Sequence, residues 1–175
     1  MDMNLQELRT LQILVDKDDR LAIFSMTKNP KKIEGDVWSP VWLAAKNPIE
    51  LQPPFTVDEL ADALERSMNA WGTGEPIFED RISLTEYYYK IKGFKKASLG
   101  TKYVGLGWKP GLGKFISIML PMKTKRCYIG IELQNLSDDA TWKDFANALL
   151  ELLSMDLTQL SSYKTYKRQL NISSD

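Results

Sequence analysis

Few side chains in this chain of 175 residues could carry chemistry, and the types that are missing exclude as much as those present suggest. There is no histidine, which removes Ser-His-Asp and Cys-His catalysis, imidazole acid-base chemistry and every zinc site that needs an imidazole. With Cys127 the lone cysteine, no intramolecular disulfide can form. It follows Lys125-Arg126, which would favour a thiolate if the thiol were exposed, but it also opens the apolar run CYIGIEL, which suits a buried, inert thiol. Gly105 to Lys114, GLGWKPGLGK, lacks the Ser or Thr that follows the lysine of a phosphate-binding loop. An enzyme made from what remains would use paired carboxylates, with or without Mg2+, or a lysine or tyrosine base, and no spacing announces one. The expectation is a binder and not an enzyme, with no catalytic residue, cofactor or metal ligand.

Charge is segregated along the chain. Lys plus Arg and Asp plus Glu number 23 each, yet Lys90 to Arg126 holds ten basic residues and no acidic one. These lysines interleave with Tyr88, Tyr89, Phe94, Tyr103 and Trp108, the composition of a platform for single-stranded nucleic acid, so residues 87–126 as such a module stand as one reading. Arginine, the better residue for planar forks, is represented there by Arg126 alone. An anionic partner, or an acidic region of the same molecule, would satisfy the lysines equally well. Residues 1–89 supply such a region, with 9 basic and 16 acidic side chains and a net charge of −7.

The elements that must position these residues follow from local pattern. LQILV and RLAIFSM around Asp16-Lys17-Asp18-Asp19 predict a hairpin from Leu11, followed by a surface loop from Thr27 to Asp36. Trp38 and Trp42 bracket Pro40, which argues against one uninterrupted central strand. Ile49 to Gln52 predicts a short strand ended by Pro53-Pro54, and Thr56 with Glu59 a capping box opening a helix whose apolar face is Leu60, Ala63, Leu64, Met68 and Trp71. Ser83 with Glu86 forms a second box across Tyr87 to Tyr89, where a strand is the alternative. Tyr103 to Trp108 and Phe115 to Leu120 predict two strands near the middle of a sheet, with lysines on its open face or rim. Tyr128 to Gln134 predicts another strand, and Thr141 with Asp144 caps the helix bearing Trp142, Phe145, Leu149 and Leu153.

One plan is repeated. IELQ occurs at Ile49 and again at Ile131, each time leading to a Thr-capped helix, with Leu60 matching Phe145, Leu64 matching Leu149 and Met68 matching Leu153. This predicts a crude twofold arrangement, with a large insertion between the halves supplying the basic strands. The fold class expected is α+β: a single domain over residues 1–175, with a mostly antiparallel twisted sheet, a half-open barrel being its curled variant, and helices packed on one face. Residues 156–175 are expected as a polar, partly ordered tail. No apolar run is long enough to span a bilayer and MDMNLQELRT is too polar for a secretory signal, so the expected compartment is the cytoplasm.

The succession Trp38/Trp42, IEL…TVDELADALERSM, YYKIKGFKKASLGTKYVGLGW and IELQNLSDDATWKDFANALLELL resembles the immunity proteins of bacterial contact-dependent growth inhibition systems. The likeness covers residues 10 to 155 and rests on Gly93-Phe94-Lys95-Lys96-Ala97 and on Ser137 to Leu149, with Ala61 and Ala146 where the family's helix motif has glycine. It implies a protein that binds and neutralises, one-to-one, the toxic carboxy-terminal domain delivered by a neighbouring cell, often a nuclease. A nuclease cleft is cationic, so on that reading the partner-binding residues would be Asp58, Glu59, Asp62, Glu75, Glu79 and Asp80. A toxin hairpin extending an exposed sheet edge is a second mode.

Overall fold

The computed structural model describes residues 8–31, 42–77, 82–109, 113–122 and 127–172. The expected hairpin forms as β1 (Arg9–Val15) and β2 (Leu21–Phe24), with Ile13 opposite Ile23. Asp16 closes its turn by accepting the N–H groups of Asp18 at 2.8 Å and Arg20 at 3.1 Å. β3 (Met26–Lys28) and β4 (Trp42–Ala44) pair as a separate ribbon, and β5 (Ile49–Leu51) returns to β2. β3 occupies the start of what was expected as a loop; residues 32–41, Trp38 among them, lie outside the described residues.

Both long helices start where the hydroxyls place them. Thr56 accepts from the Glu59 N–H at 3.2 Å while the Glu59 carboxylate takes the Thr56 N–H at 2.7 Å, opening α1 (Val57–Asn69). Two short helices, α2 (Leu84–Tyr89) and α3 (Phe94–Ala97), precede β6 (Lys102–Lys109), β7 (Gly113–Pro121) and β8 (Tyr128–Leu136). At the tyrosines, where helix and strand were both open, the reciprocal Ser83–Glu86 cap prevails, and Lys90 at φ +56° ends the helix. Thr141 and Asp144 repeat the cap for α4 (Trp142–Ser154). Each cap contributes about 1 kcal/mol. Burying a single Leu or Phe contributes about 1.5–3 kcal/mol, so packing, not capping, holds these helices in place.

Among the described residues, six strands form one antiparallel sheet in the order β5-β2-β1-β6-β7-β8. The sheet stays open, with β5 and β8 as its edges, and does not close into a barrel. β1 pairs antiparallel with β6 at its centre, Ile13 opposite Val104, so a pseudo-twofold axis between them relates β1-β2-β5-α1 to β6-β7-β8-α4. The two IELQ copies therefore occupy opposite edges. This corrects the expected insertion: the basic strands β6 and β7 are the counterparts of β1 and β2. The copies differ in detail. β8 slips between Ile118 and Met119, leaving Ile131 without a cross-strand partner; it turns into the core while Leu133 stays 55% exposed.

The main core lies on one face, where Leu11, Ile13, Val104, Leu106, Ile116 and Ile118 meet Leu60 and Leu64 of α1 and Phe145 and Leu149 of α4. A smaller cluster on the other face joins Leu14, Ala22 and Phe24 to Met26, Ala44 and the partly buried Leu84 and Tyr88, so the short α2 packs opposite the long helices. Within the stretch expected as a polar, partly ordered tail, residues 157–172 carry regular structure. A 3-10 turn (Leu157–Gln159) leads into α5 (Ser161–Ile172), Leu157 and Tyr166 are buried in the main core, and the Tyr166 hydroxyl donates to the Pro121 carbonyl at 2.8 Å. Leu157, Leu160, Tyr163 and Tyr166 recur every third position, a stripe too narrow to stand out in a lysine-rich, polar segment.

Candidate partner-binding surfaces

Two of the strand lysines, Lys102 and Lys114, are not on the open face. Lys102 shares its face with Val104 and Leu106, and Lys114 with Ile116 and Ile118, and the two reach opposite ends of α4: the Lys114 ammonium donates to the Ala140 carbonyl at 2.5 Å and the Lys102 ammonium to the Leu153 carbonyl at 3.4 Å. At the carboxyl end of α4 a cation complements the helix field. At its amino end Asp139 and Asp144 offset Lys114. Hydrogen bonds from the Ser137 and Thr141 hydroxyls hold the two carboxyls below the usual range, and Lys114 adds to the effect in both. Lys90, Lys92, Lys95 and Lys96 belong to the α2–α3 segment, and Lys123, Lys125 and Arg126 lie outside the described residues. Cys127, expected to be buried, is half-buried and gives its carbonyl to the Met122 N–H.

The aromatics of the basic stretch pack on one another. Tyr128 meets the edge of Phe94 at 5.5 Å and lies 5.0 Å from Tyr103, while Tyr88 meets Phe24 and Tyr89. Burial drives the Tyr103 phenol well above the ordinary range; burial and its hydrogen bond to Glu50 do the same to Tyr88, and burial pushes Tyr89 up to about 12. Such side chains are committed to packing and do not form a row of open stacking faces. Because the folded values exceed the unfolded value of about 10, this contribution to stability is complete below pH ~10 and is lost as pH rises through the folded values. An alkaline titration followed by phenolate absorbance should therefore show a late-ionising group of tyrosines that joins the ordinary ones in denaturant. Simultaneous ionisation of all seven tyrosines in the folded protein would refute it.

The acidic residues fall into two groups. Asp58, Glu59 and Asp62 share the first turns of α1, where Asp58 pairs with Lys143 of α4 at 2.8 Å, Asp62 with Arg66 at 2.8 Å, and Glu59 closes the cap. Glu75 lies beyond the other end of the helix, paired with Lys46 at 2.5 Å. A helix of 13 residues spans about 20 Å, so the structure brings three of these carboxylates together and leaves Glu75 apart. Glu79 and Asp80 lie outside the described residues. Exposed pairs of this kind are worth about 0–1 kcal/mol, so a partner could exchange them cheaply.

Two concave surfaces had no signal in the sequence. One, of about 220 Å³, opens between the last turn of α1 and the first of α4, with Arg9, Trp108, Lys114 and Trp142 in its wall. The Arg9 guanidinium sits 5.6 Å from the Trp71 ring and 5.7 Å from that of Trp108. Trp71 in turn packs on Trp42, ring centroids 4.0 Å apart. The other, of about 310 Å³, lies between α3 and α5, walled by Leu99, Pro121, Met122, Tyr163 and Tyr166 with Lys95 at its lip. These walls come from segments distant in the chain, which is why no motif marks them.

The fold itself is a known one. Over 88% of this chain and 98% of the other, it matches a protein of unknown function from Neisseria meningitidis with a TM-score of 0.52 at 12% identity. It also matches a chain of the CdiA-CT/CdiI toxin and immunity complex from Yersinia pseudotuberculosis, with a TM-score of 0.52 at 10% identity, over 85% of this chain and 97% of that one. At such identities the likeness is one of architecture. No protein-family model matches the chain, and no curated protein matches it in sequence. Among the described residues no helix is long and apolar enough to cross a membrane, and no group of three Cys, Asp or Glu side chains could hold a metal ion.

Proposed function

We propose that this protein is an immunity protein that binds, one-to-one, the toxic carboxy-terminal domain of a contact-dependent growth inhibition system and neutralises it in the cytoplasm. The observation that carries the reading is the correspondence, nearly end to end, with a chain of a toxin and immunity complex. The sequence resemblance over residues 10 to 155 points the same way. Neutralisation of this kind needs a wide complementary contact of roughly 1,200–2,000 Å² and no turnover. We read the protein as a binder and not an enzyme, and a nuclease as the natural target. The nine-residue edge strand β8 offers main-chain groups to which a partner strand could add.

Calorimetry with the polypeptide encoded immediately upstream, inactivated if necessary, tests the reading. A saturable one-to-one complex is expected, and cells making the active toxin should survive only when this protein is present. Absence of any complex, or survival regardless of this protein, would overturn it. The lysine-rich stretch should give no oligonucleotide mobility shift at low salt.

A further inference from the structure

The cleft between α1 and α4 is built for one kind of visitor. Among the described residues, its wall holds two cations, Arg9 and Lys114, and no carboxylate. Lys114 is drawn to the Ala140 carbonyl and to the field of Asp139 and Asp144. Arg9, although exposed, has no carboxylate partner among the described residues; its guanidinium is held between the Trp71 and Trp108 rings. Those two ring contacts restrain the side chain before anything binds, so less rotamer entropy is lost on binding. Half-buried Trp108 and Trp142 add apolar wall to the same cleft. Tryptophan and arginine gathered in a pocket are the usual anchors of a protein interface. The volume of about 220 Å³ falls below the roughly 300–1,000 Å³ of small-molecule sites and suits side chains of another polypeptide.

We propose that this cleft takes an acidic segment of the toxin partner, a carboxylate seated on Arg9 and the adjoining apolar side chain laid against Trp108 and Trp142. The inference rests on the immunity reading and reverses the polarity expected from the sequence: here the protein supplies the cation and the partner the acid. The cleft between α3 and α5, though larger, offers no comparably fixed charge, since its Tyr166 hydroxyl is already spent on Pro121.

The test compares toxin binding by the wild type with that by Arg9→Ala, Arg9→Glu and, at the far end of α4, Glu151→Ala, in low and moderate salt. Arg9→Ala should weaken the complex by roughly tenfold and Arg9→Glu by roughly a hundredfold, with a shallower salt dependence than the wild type, while Glu151→Ala stays within about twofold. Arg9 is exposed, so unchanged thermal unfolding of its variants is expected and separates lost contact from lost fold. A wild-type complex that Arg9→Glu matches within about twofold would overturn the docking surface and leave the immunity reading standing. No complex with the wild type would overturn the immunity reading and the docking surface with it.

Discussion

Replacing Phe145 with alanine is expected to destabilise the protein by about 3–5 kcal/mol, a large part of the total stability of a domain of this size. The ring is 1% exposed, stacks on Trp142 at 5.3 Å and stands in the cluster that joins α4 to α1 and to the central strands. Its removal forfeits the transfer free energy of the ring and leaves a cavity that flanking helices, fixed at both ends, can only partly close. Urea unfolding monitored by circular dichroism measures the loss. Its pseudo-twofold counterpart Leu60, 0% exposed, should behave alike at about 2–5 kcal/mol when changed to alanine. A loss below about 1 kcal/mol at Phe145 would mean that α4 does not seal the sheet.

The second large effect concerns a residue with no side chain. Gly107 lies directly across from Phe115 on the open face of the sheet, and a Cβ built there falls well inside van der Waals contact with the Phe115 ring. Gly107→Ala should cost about 1–3 kcal/mol because the ring must leave its seat. In a Phe115→Ala background the same substitution should be close to neutral, since the clash is gone and glycine is itself a poor strand residue. The two changes would then be coupled by about 0.5–3 kcal/mol, which a double-mutant cycle reads directly. Additive effects would show that glycine is required at this position for some reason other than the ring.

How much of this could be read without coordinates depended on the range of the interaction. The Thr56–Glu59, Ser83–Glu86 and Thr141–Asp144 caps were legible because donor and acceptor lie three residues apart and the geometry is local. The hairpin at Asp16 and the two IELQ strands were legible for the same reason. α5 was not, because its anchors make sense only beside the Pro121 end of β7. Lys102 and Lys114 looked like surface charge because nothing in their neighbourhood says that their face of the sheet lies under α4. The candidate acids share only sign and nearness in the chain, and the length of α1 separates Asp58, Glu59 and Asp62 from Glu75.

Composition and periodicity alone determined that this chain is an α+β domain without imidazole chemistry, that three of its helices begin at hydroxyl caps and that its plan is repeated, since each of these is a property of residue type or of spacing within a few positions. Only the tertiary structure decided which edge each repeat occupies, where the lysines are spent and that Arg9 lies between two indoles, because those outcomes depend on which distant segments share a face of the sheet, and that is settled by burial of the common core.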